Sequence, residues 1–181
     1  MNDKTITSKP ELTKGLQAAF KEINQFLNEI TAFQFVQAPE GKWSSGQQVI
    51  HLIRSTKPIA MLMQGDIAQI AAFGQLERTP WDYDTLVQNY RALLATGAKA
   101  PPQFDPKEVK PEDKNALVAK FVEAQQALLQ ALDQWEEAKL DQYCIPHPLL
   151  GNFSIREMMF FTIYHTGHHL RFMKAYAETV D

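Results

Sequence analysis

The sequence predicts an all-α fold, a four-helix bundle with an extra short helix in the middle connection. Three observations lead there. Apolar residues recur at 3-and-4 spacing through four long segments. Prolines and glycines gather between those segments, and no strand-like alternation of useful length appears. The 181 residues suit about one domain, so 1-181 reads as a single helical bundle domain.

Each element can be justified in order. From Glu11 to about Phe35 the apolar positions are Leu12, Leu16, Phe20, Ile23, Leu27 and Ile30, and Ala38-Pro39-Glu40-Gly41 ends that helix. Ser44 with Gln47 reads as a capping box opening the second helix, with Trp43 as a hydrophobic staple. That helix runs toward Phe73, and Pro58 inside it predicts a kink or break near Lys57. Gly74 to Pro80 is a connection, followed by a shorter helix, roughly Asp82 to Thr96, with Leu86, Tyr90, Leu93 and Leu94 on one side. Gly97 to Pro111 holds Pro101, Pro102, Pro106 and Pro111 and is a loop without a helix. A long helix from about Glu112 to Ala138 carries Leu117, Phe121, Leu128 and Leu132. After a loop from Leu140 to Phe153, Ser154 and Glu157 form a second capping box, and the last helix reaches about Glu178.

Composition removes several classes of function. Apolar residues are 45% of the chain and charged ones 22%, which is ordinary globular usage and excludes a disordered chain. Eighteen Lys plus Arg against 21 Asp plus Glu leave a net charge of −3, which argues against a nucleic-acid partner. Cys144 is the single cysteine, so neither an intrachain disulfide nor a Cys cluster for zinc can form, as suits a reducing cytosol. Met1 is not followed by an apolar run of signal-peptide type. The most apolar stretch, Ile59 to Phe73, is interrupted by Gln64, Asp66 and Gln69 and is too short to span a membrane. The expectation is a soluble, cytoplasmic protein.

The chemistry points to histidine. His165 and His169 stand four apart on the last helix, on the face that also carries Met158, Phe161, Phe172 and Tyr176. Two imidazoles in an apolar stripe are unfavourable unless their nitrogens find partners. A divalent metal satisfies both at once; the alternative is that each bonds a buried carbonyl or hydroxyl. His51 lies on the second helix, with Gln47 and Ser55 a turn before and after it, where polar groups could hold an imidazole in place. A core histidine satisfied by one neighbour is the alternative there. His168 flanks the same face as a substitute ligand or hydrogen-bonding neighbour, and His147 sits in the stiff Ile145-Pro146-His147-Pro148 loop, structural or functional. Trp81, Trp135 and the stripe containing Phe161 read as core, and no GxGxxG, P-loop, GxSxG or CxxC is present. No carboxylate pairs with the histidine face.

Trp43-Ser44 followed by His51-Leu52, with His165-Thr166-Gly167-His168-His169-Leu170 near the end, resembles the DinB/YfiT-like metalloenzyme superfamily. The resemblance covers nearly the whole chain. It implies up-down-down-up helix topology and a divalent metal (zinc, nickel or iron) held by His51, His165 and His169. His147-Pro148-Leu149-Leu150-Gly151 with Ser154 to Glu157 is similar to a loop in one branch of that superfamily. Many relatives carry Glu four residues before the second-helix histidine; Gln47 stands there in this chain, which puts a carboxylate-assisted step in doubt. The reactions implied are thiol-dependent S-transfer, maleylpyruvate isomerisation and hydrolysis.

The expected function is therefore a metal-dependent transferase or hydrolase acting on a small molecule, with a low-molecular-weight thiol as the partner that least needs a carboxylate base. The alternatives are a non-catalytic bundle that binds a metal or small ligand, and a structural bundle whose histidines are core hydrogen-bonders. A homodimer is compatible with the sequence, which specifies no interface.

Overall fold

The computed structural model describes residues 8–177. Seven α-helices are present among them: α1 (Lys9–Glu29), α2 (Ala32–Val36), α3 (Ser45–Gln64), α4 (Ile67–Ala71), α5 (Tyr83–Ala95), α6 (Lys114–Gln134) and α7 (Ile155–Ala177). A two-stranded antiparallel hairpin, β1 (Cys144–His147) and β2 (Gly151–Ser154), precedes α7.

Helices α1, α3, α6 and α7 form the bundle, with α3 beside α6, α1 beside α7, and α5 outside α7. Contacts at their ends fix the directions. Lys9, at the start of α1, donates to the carbonyls of Asp133 and Trp135 at the end of α6, so those helices are antiparallel. Trp135 Nε1 donates to the Met63 carbonyl near the end of α3, so α3 and α6 run the same way. Lys174 near the end of α7 pairs with Glu22 on α1, while Arg156 at the start of α7 and the Lys9 backbone N–H share Glu137, so α1 and α7 are parallel. The order is up-down-down-up, and the parallel α3–α6 pair requires the long crossover that contains α5.

Burial follows the sequence periodicity closely. On α1 the buried set is Leu12, Leu16, Phe20, Ile23 and Leu27. The core has two parts. One gathers Leu12, Leu16, Phe20, Met63, Leu128, Trp135 and Met159; the other gathers Ile23, Leu27, Phe35, Val49, Leu52, Phe121 and Leu170. Along α7 the chain passes from the first part to the second at His165 and His169, while on α3 the residues flanking His51, Val49 and Leu52, belong to the second part and the first begins at Ile59.

Four expectations change. The first helix stops at Glu29, because Thr31 and Gln34 form their own capping box and open α2. The second continues through Pro58, which lies on an exposed face where losing one backbone hydrogen bond is tolerable, and stops instead at Gly65. Asp66 then caps α4 by accepting from the Ala68 N–H. The proline-rich segment contains two 3-10 turns, Pro102–Phe104 and Pro111–Asp113. The stretch expected as a loop before the last helix contains the hairpin, whose strands of four residues are too short to display alternation. Gly151, at φ +75°, closes its turn.

Candidate metal centre

Both histidine-bearing helices begin with the capping boxes seen in the sequence. Ser44 N donates to Gln47 Oε1 at 3.0 Å and Gln47 N to Ser44 Oγ at 3.2 Å. Ser154 N donates to Glu157 Oε2 at 2.7 Å and Glu157 N to Ser154 Oγ at 3.1 Å. With both helix starts fixed, His51 of α3 faces His165 and His169 of α7, and all three are buried.

Their ε-nitrogens converge. His51 Nε2 lies 3.2 Å from His165 Nε2, and His169 Nε2 lies 3.0 Å from the same atom. One nitrogen of each residue falls within 4.8 Å of the others. An ion bound tetrahedrally at 2.0–2.1 Å separates its ligand nitrogens by about 3.3 Å, so the spacing suits a divalent cation. The outward nitrogens are already engaged: His51 Nδ1 lies 3.2 Å from the Phe104 carbonyl, and His169 Nδ1 lies 3.1 Å from Gln48 Oε1. Each acceptor demands a proton on Nδ1 and leaves the Nε2 lone pair aimed inward. His165 is held by stacking on Phe161, with ring centroids 4.7 Å apart.

Burial is also the chief reason these groups stay neutral. It lowers the pKa of His51 and pushes those of His165 and His169 well below the ordinary histidine value. Neutral imidazoles with converging lone pairs repel one another unless a cation or proton lies between them. The donor set therefore fits a divalent metal, as neutral nitrogen ligands should.

The cluster forms part of the wall of a cavity of about 960 Å³. Tyr90, Phe104, Phe161, His147 and His168 share that wall, while Lys42, Arg54, Lys99 and Asp105 bring charge to it. Phe161 is thus both core and cavity wall, and Phe172, expected to face inward, is exposed and lines the cavity with Tyr176. His147 and His168 both line it, and burial lowers each to a pKa of about 4.

Two residues singled out beside His51 serve other ends. Gln47 completes the α3 cap, and the amide that meets the histidine cluster belongs to the next residue, Gln48. Ser55 lines the cavity but its hydroxyl donates to the His51 backbone carbonyl at 2.9 Å, so it supports the helix and not the imidazole. Phe104 and Arg54 carry no motif. Arg54 Nη1 donates to the Gln103 and Asp105 carbonyls and pins the 3-10 turn that presents Phe104 to His51. Gln48 was readable in principle, because it stands three residues before His51 and shares its face.

An up-down-down-up bundle with three inward imidazoles defines a class of helical proteins equipped to hold a divalent ion. The chain belongs to the DinB superfamily, whose family model matches residues 15–173. Solved structures share the fold. A protein from Streptococcus pneumoniae superposes with TM-score 0.61 at 12% identity, covering 98% of this chain and 94% of its own. The colibactin self-resistance protein ClbS, in complex with a double-stranded DNA, gives 0.59 at 15% identity, covering 97% and 98%. TT2238, a four-helix bundle protein, gives 0.58 at 16% identity, covering 93% and 99%. No curated protein matches the chain. Among the described residues no helix is long and apolar enough to cross a membrane.

Proposed function

We propose that the protein is a metal-dependent enzyme in which His51, His165 and His169 hold a divalent ion, and that it transfers a small thiol to, or hydrolyses, an apolar small molecule. The observation that carries this reading is the convergence of three neutral ε-nitrogens on the wall of a large, mostly apolar cavity. A divalent ion there would supply Lewis acidity and make a thiol or water more acidic. Phe104 and Gln48 orient two of the imidazoles, and Phe161 fixes the third. Tyr90, Phe104 and Phe161 line the apolar part of the cavity. Of the cavity-lining residues only Asp105 is acidic, and it stands on the Arg54-pinned turn next to Phe104. That favours thiol transfer, which needs no separate base, over hydrolysis assisted by a carboxylate.

The reading concerns a small molecule and not a duplex such as the one bound to ClbS, given the net charge of −3 and the apolar wall. The scarcity of carboxylates in the cavity favours one other reading, a bundle that binds metal without catalysis. Elemental analysis of untagged protein purified without chelators tests the site: about one metal per chain is expected, lost in His165→Ala and in His51→Asn. Metal far below one per chain in the wild type would remove the proposal. Turnover of a thiol with electrophilic acceptors, tested on the loaded protein, separates enzyme from binding module. We also place the protein in the cytoplasm.

A further inference from the structure

His147 takes no part in the three-nitrogen cluster, yet its ring is held on the cavity wall from several sides. It is the last residue of β1 and pairs with Gly151 across the hairpin. Its Nδ1 accepts two backbone hydrogen bonds from the tip, from Leu149 N at 3.2 Å and Leu150 N at 3.1 Å. The ring stacks on Phe153 with centroids 4.7 Å apart and meets Phe161 edge-on at 4.5 Å. Phe161 in turn stacks on His165, so one aromatic ring separates His147 from the histidine cluster.

The two amide donors decide where the proton resides. An Nδ1 that accepts two N–H groups cannot also carry a hydrogen, so the neutral ring must be protonated at Nε2. Among the described residues every fully buried side-chain nitrogen or oxygen has a hydrogen-bond partner. Among the described residues His147 Nε2 has no hydrogen-bond partner, so this atom is not fully enclosed, and its ring lines the cavity, which directs it toward that open space. Burial, which keeps this imidazole neutral at ordinary pH, acts in the same direction as the two amides.

We infer that the His147 Nε2–H is a preset hydrogen-bond donor that positions the substrate by a carbonyl or carboxylate oxygen, with the substrate's apolar body against Phe161, Tyr90 and Phe104. This deepens the proposed function and rests on the cavity being the substrate site. The donor is rigid, because the hairpin holds one nitrogen and two phenylalanines hold the faces. It is a positioning residue and not a base, since the nitrogen facing the cavity already carries its proton. The substrate class is then an apolar molecule with one oxygen acceptor, with the acceptor directed toward the hairpin.

Two substitutions separate the halves of the ring. His147→Asn keeps an acceptor oxygen near the position of Nδ1, so the hairpin tip remains bonded, but removes the far donor. His147→Gln keeps an N–H near the position of Nε2 and loses the acceptor for the tip. The experiment is a two-bond proton–nitrogen NMR spectrum of the metal-free full chain, repeated during titration with benzoate and with toluene. The expected result is an Nε2-protonated, Nδ1-unprotonated ring at pH 7, whose Nε2 nitrogen signal moves downfield with benzoate and not with toluene. Benzoate affinity should fall about tenfold or more in His147→Asn, a protein of near wild-type melting temperature, because a hydrogen bond to a charged acceptor is lost. His147→Gln should melt lower and retain most of the affinity. An Nδ1-protonated ring, or equal benzoate affinity in wild type and His147→Asn, would overturn the inference. Metal analysis of His165→Ala is a separate readout: if it retains metal while the NMR result holds, the metal reading fails and the donor stands.

Discussion

The starts of α3 and α7 carry the same four-residue box and do different work with it. Among the described residues Gln47 Oε1 accepts only from the Ser44 N–H, and the amide ends its influence within the first turn. Glu157 closes its own box and also reaches across the fold, accepting from Arg78 Nη1 at 2.6 Å and from the Trp81 backbone N–H at 2.7 Å. Arg78 meanwhile donates to the Asn152 carbonyl of β2 and lies 3.6 Å over the Trp81 ring. A carboxylate has two oxygens and a full charge, so it can cap a helix and anchor a loop together. At the start of α3 the equivalent tightness comes from close packing: Gly46 lies against Phe35 and Val109 so closely that an added Cβ would meet both at 2.8 Å. One histidine-bearing helix is seated by charge, the other by shape.

The largest expected effect attacks the charged side. Glu157 is fully buried and Arg78 is its ion-pair partner. Removing Glu157 takes the acceptor from Arg78 and from the Trp81 and Ser154 N–H groups together, and Glu157→Ala should cost about 3–5 kcal/mol in denaturant unfolding. Arg78→Ala should cost less, because the Glu157 carboxylate left behind keeps its two backbone donors, Trp81 N–H and Ser154 N–H. Equal, small losses in both variants would mean that the box alone accounts for Glu157 and that the contrast with Gln47 is illusory.

Acid probes the same end of the molecule through His147. Its pKa drops from 6.5 to about 4 because burial disfavours the charged ring. Between those values the unfolded chain binds a proton that the native state refuses, so stability is complete above pH 6.5 and is lost as pH falls toward 4. The displacement corresponds to about 3 kcal/mol for the metal-free protein. Tyr90, the titratable ring edge-on to it, is pushed up to about 12 by burial and does not change charge in this range. Unfolding of the metal-free chain from pH 7 to 4 should therefore be steeper in the wild type than in His147→Asn. Parallel curves would show that His147 is free to protonate and is not locked by the hairpin.

The packed side should respond to added volume. Gly46→Ala places a methyl where Phe35 and Val109 already stand, and overpacking of this kind should cost about 1–3 kcal/mol, measured by the denaturation midpoint. The strain falls at the start of α3, close to the Gln48 amide that meets His169. Metal affinity should therefore drop with stability in Gly46→Ala. An unchanged midpoint would show that α2 yields easily and that shape does not seat α3.

These contrasts divide what the sequence made legible from what it hid. His51 joined the His165–His169 pair through the family resemblance, whereas the four bundle helices and both capping boxes follow from periods and spacings within single segments. Their directions needed the family resemblance, and end-to-end contacts such as Lys9 to Asp133 carry them in the structure. What stayed hidden depends on pairs far apart in the chain. Glu157 read as an ordinary cap because Arg78 is 79 positions away, and the Phe104 carbonyl beside His51 is 53 positions away. The hairpin was hidden for a local reason: four-residue strands beside two prolines give no periodic signal. Thr31 and Gln34, by contrast, were a legible box that the longer apolar rhythm of α1 obscured.

The smallest effect sharpens the comparison most directly. Gln47→Glu gives α3 the same box as α7, with a carboxylate in the first turn where the helix dipole favours negative charge. The gain should be about 0.3–1 kcal/mol at low salt, fading as salt is added. Among the described residues the wild-type amide oxygen accepts from Ser44 N alone, and no cation is paired with it as Arg78 is with Glu157. The new carboxylate should thus remain a local cap, and metal content should stay unchanged because Gln48, and not Gln47, meets the histidine cluster. A stabilisation of several kcal/mol would mean that a carboxylate at this position finds a partner in the fold, and the two helix starts would then differ by one residue and not by architecture. A change in metal content would instead place position 47 within reach of the cluster and restore the role that its spacing before His51 first suggested.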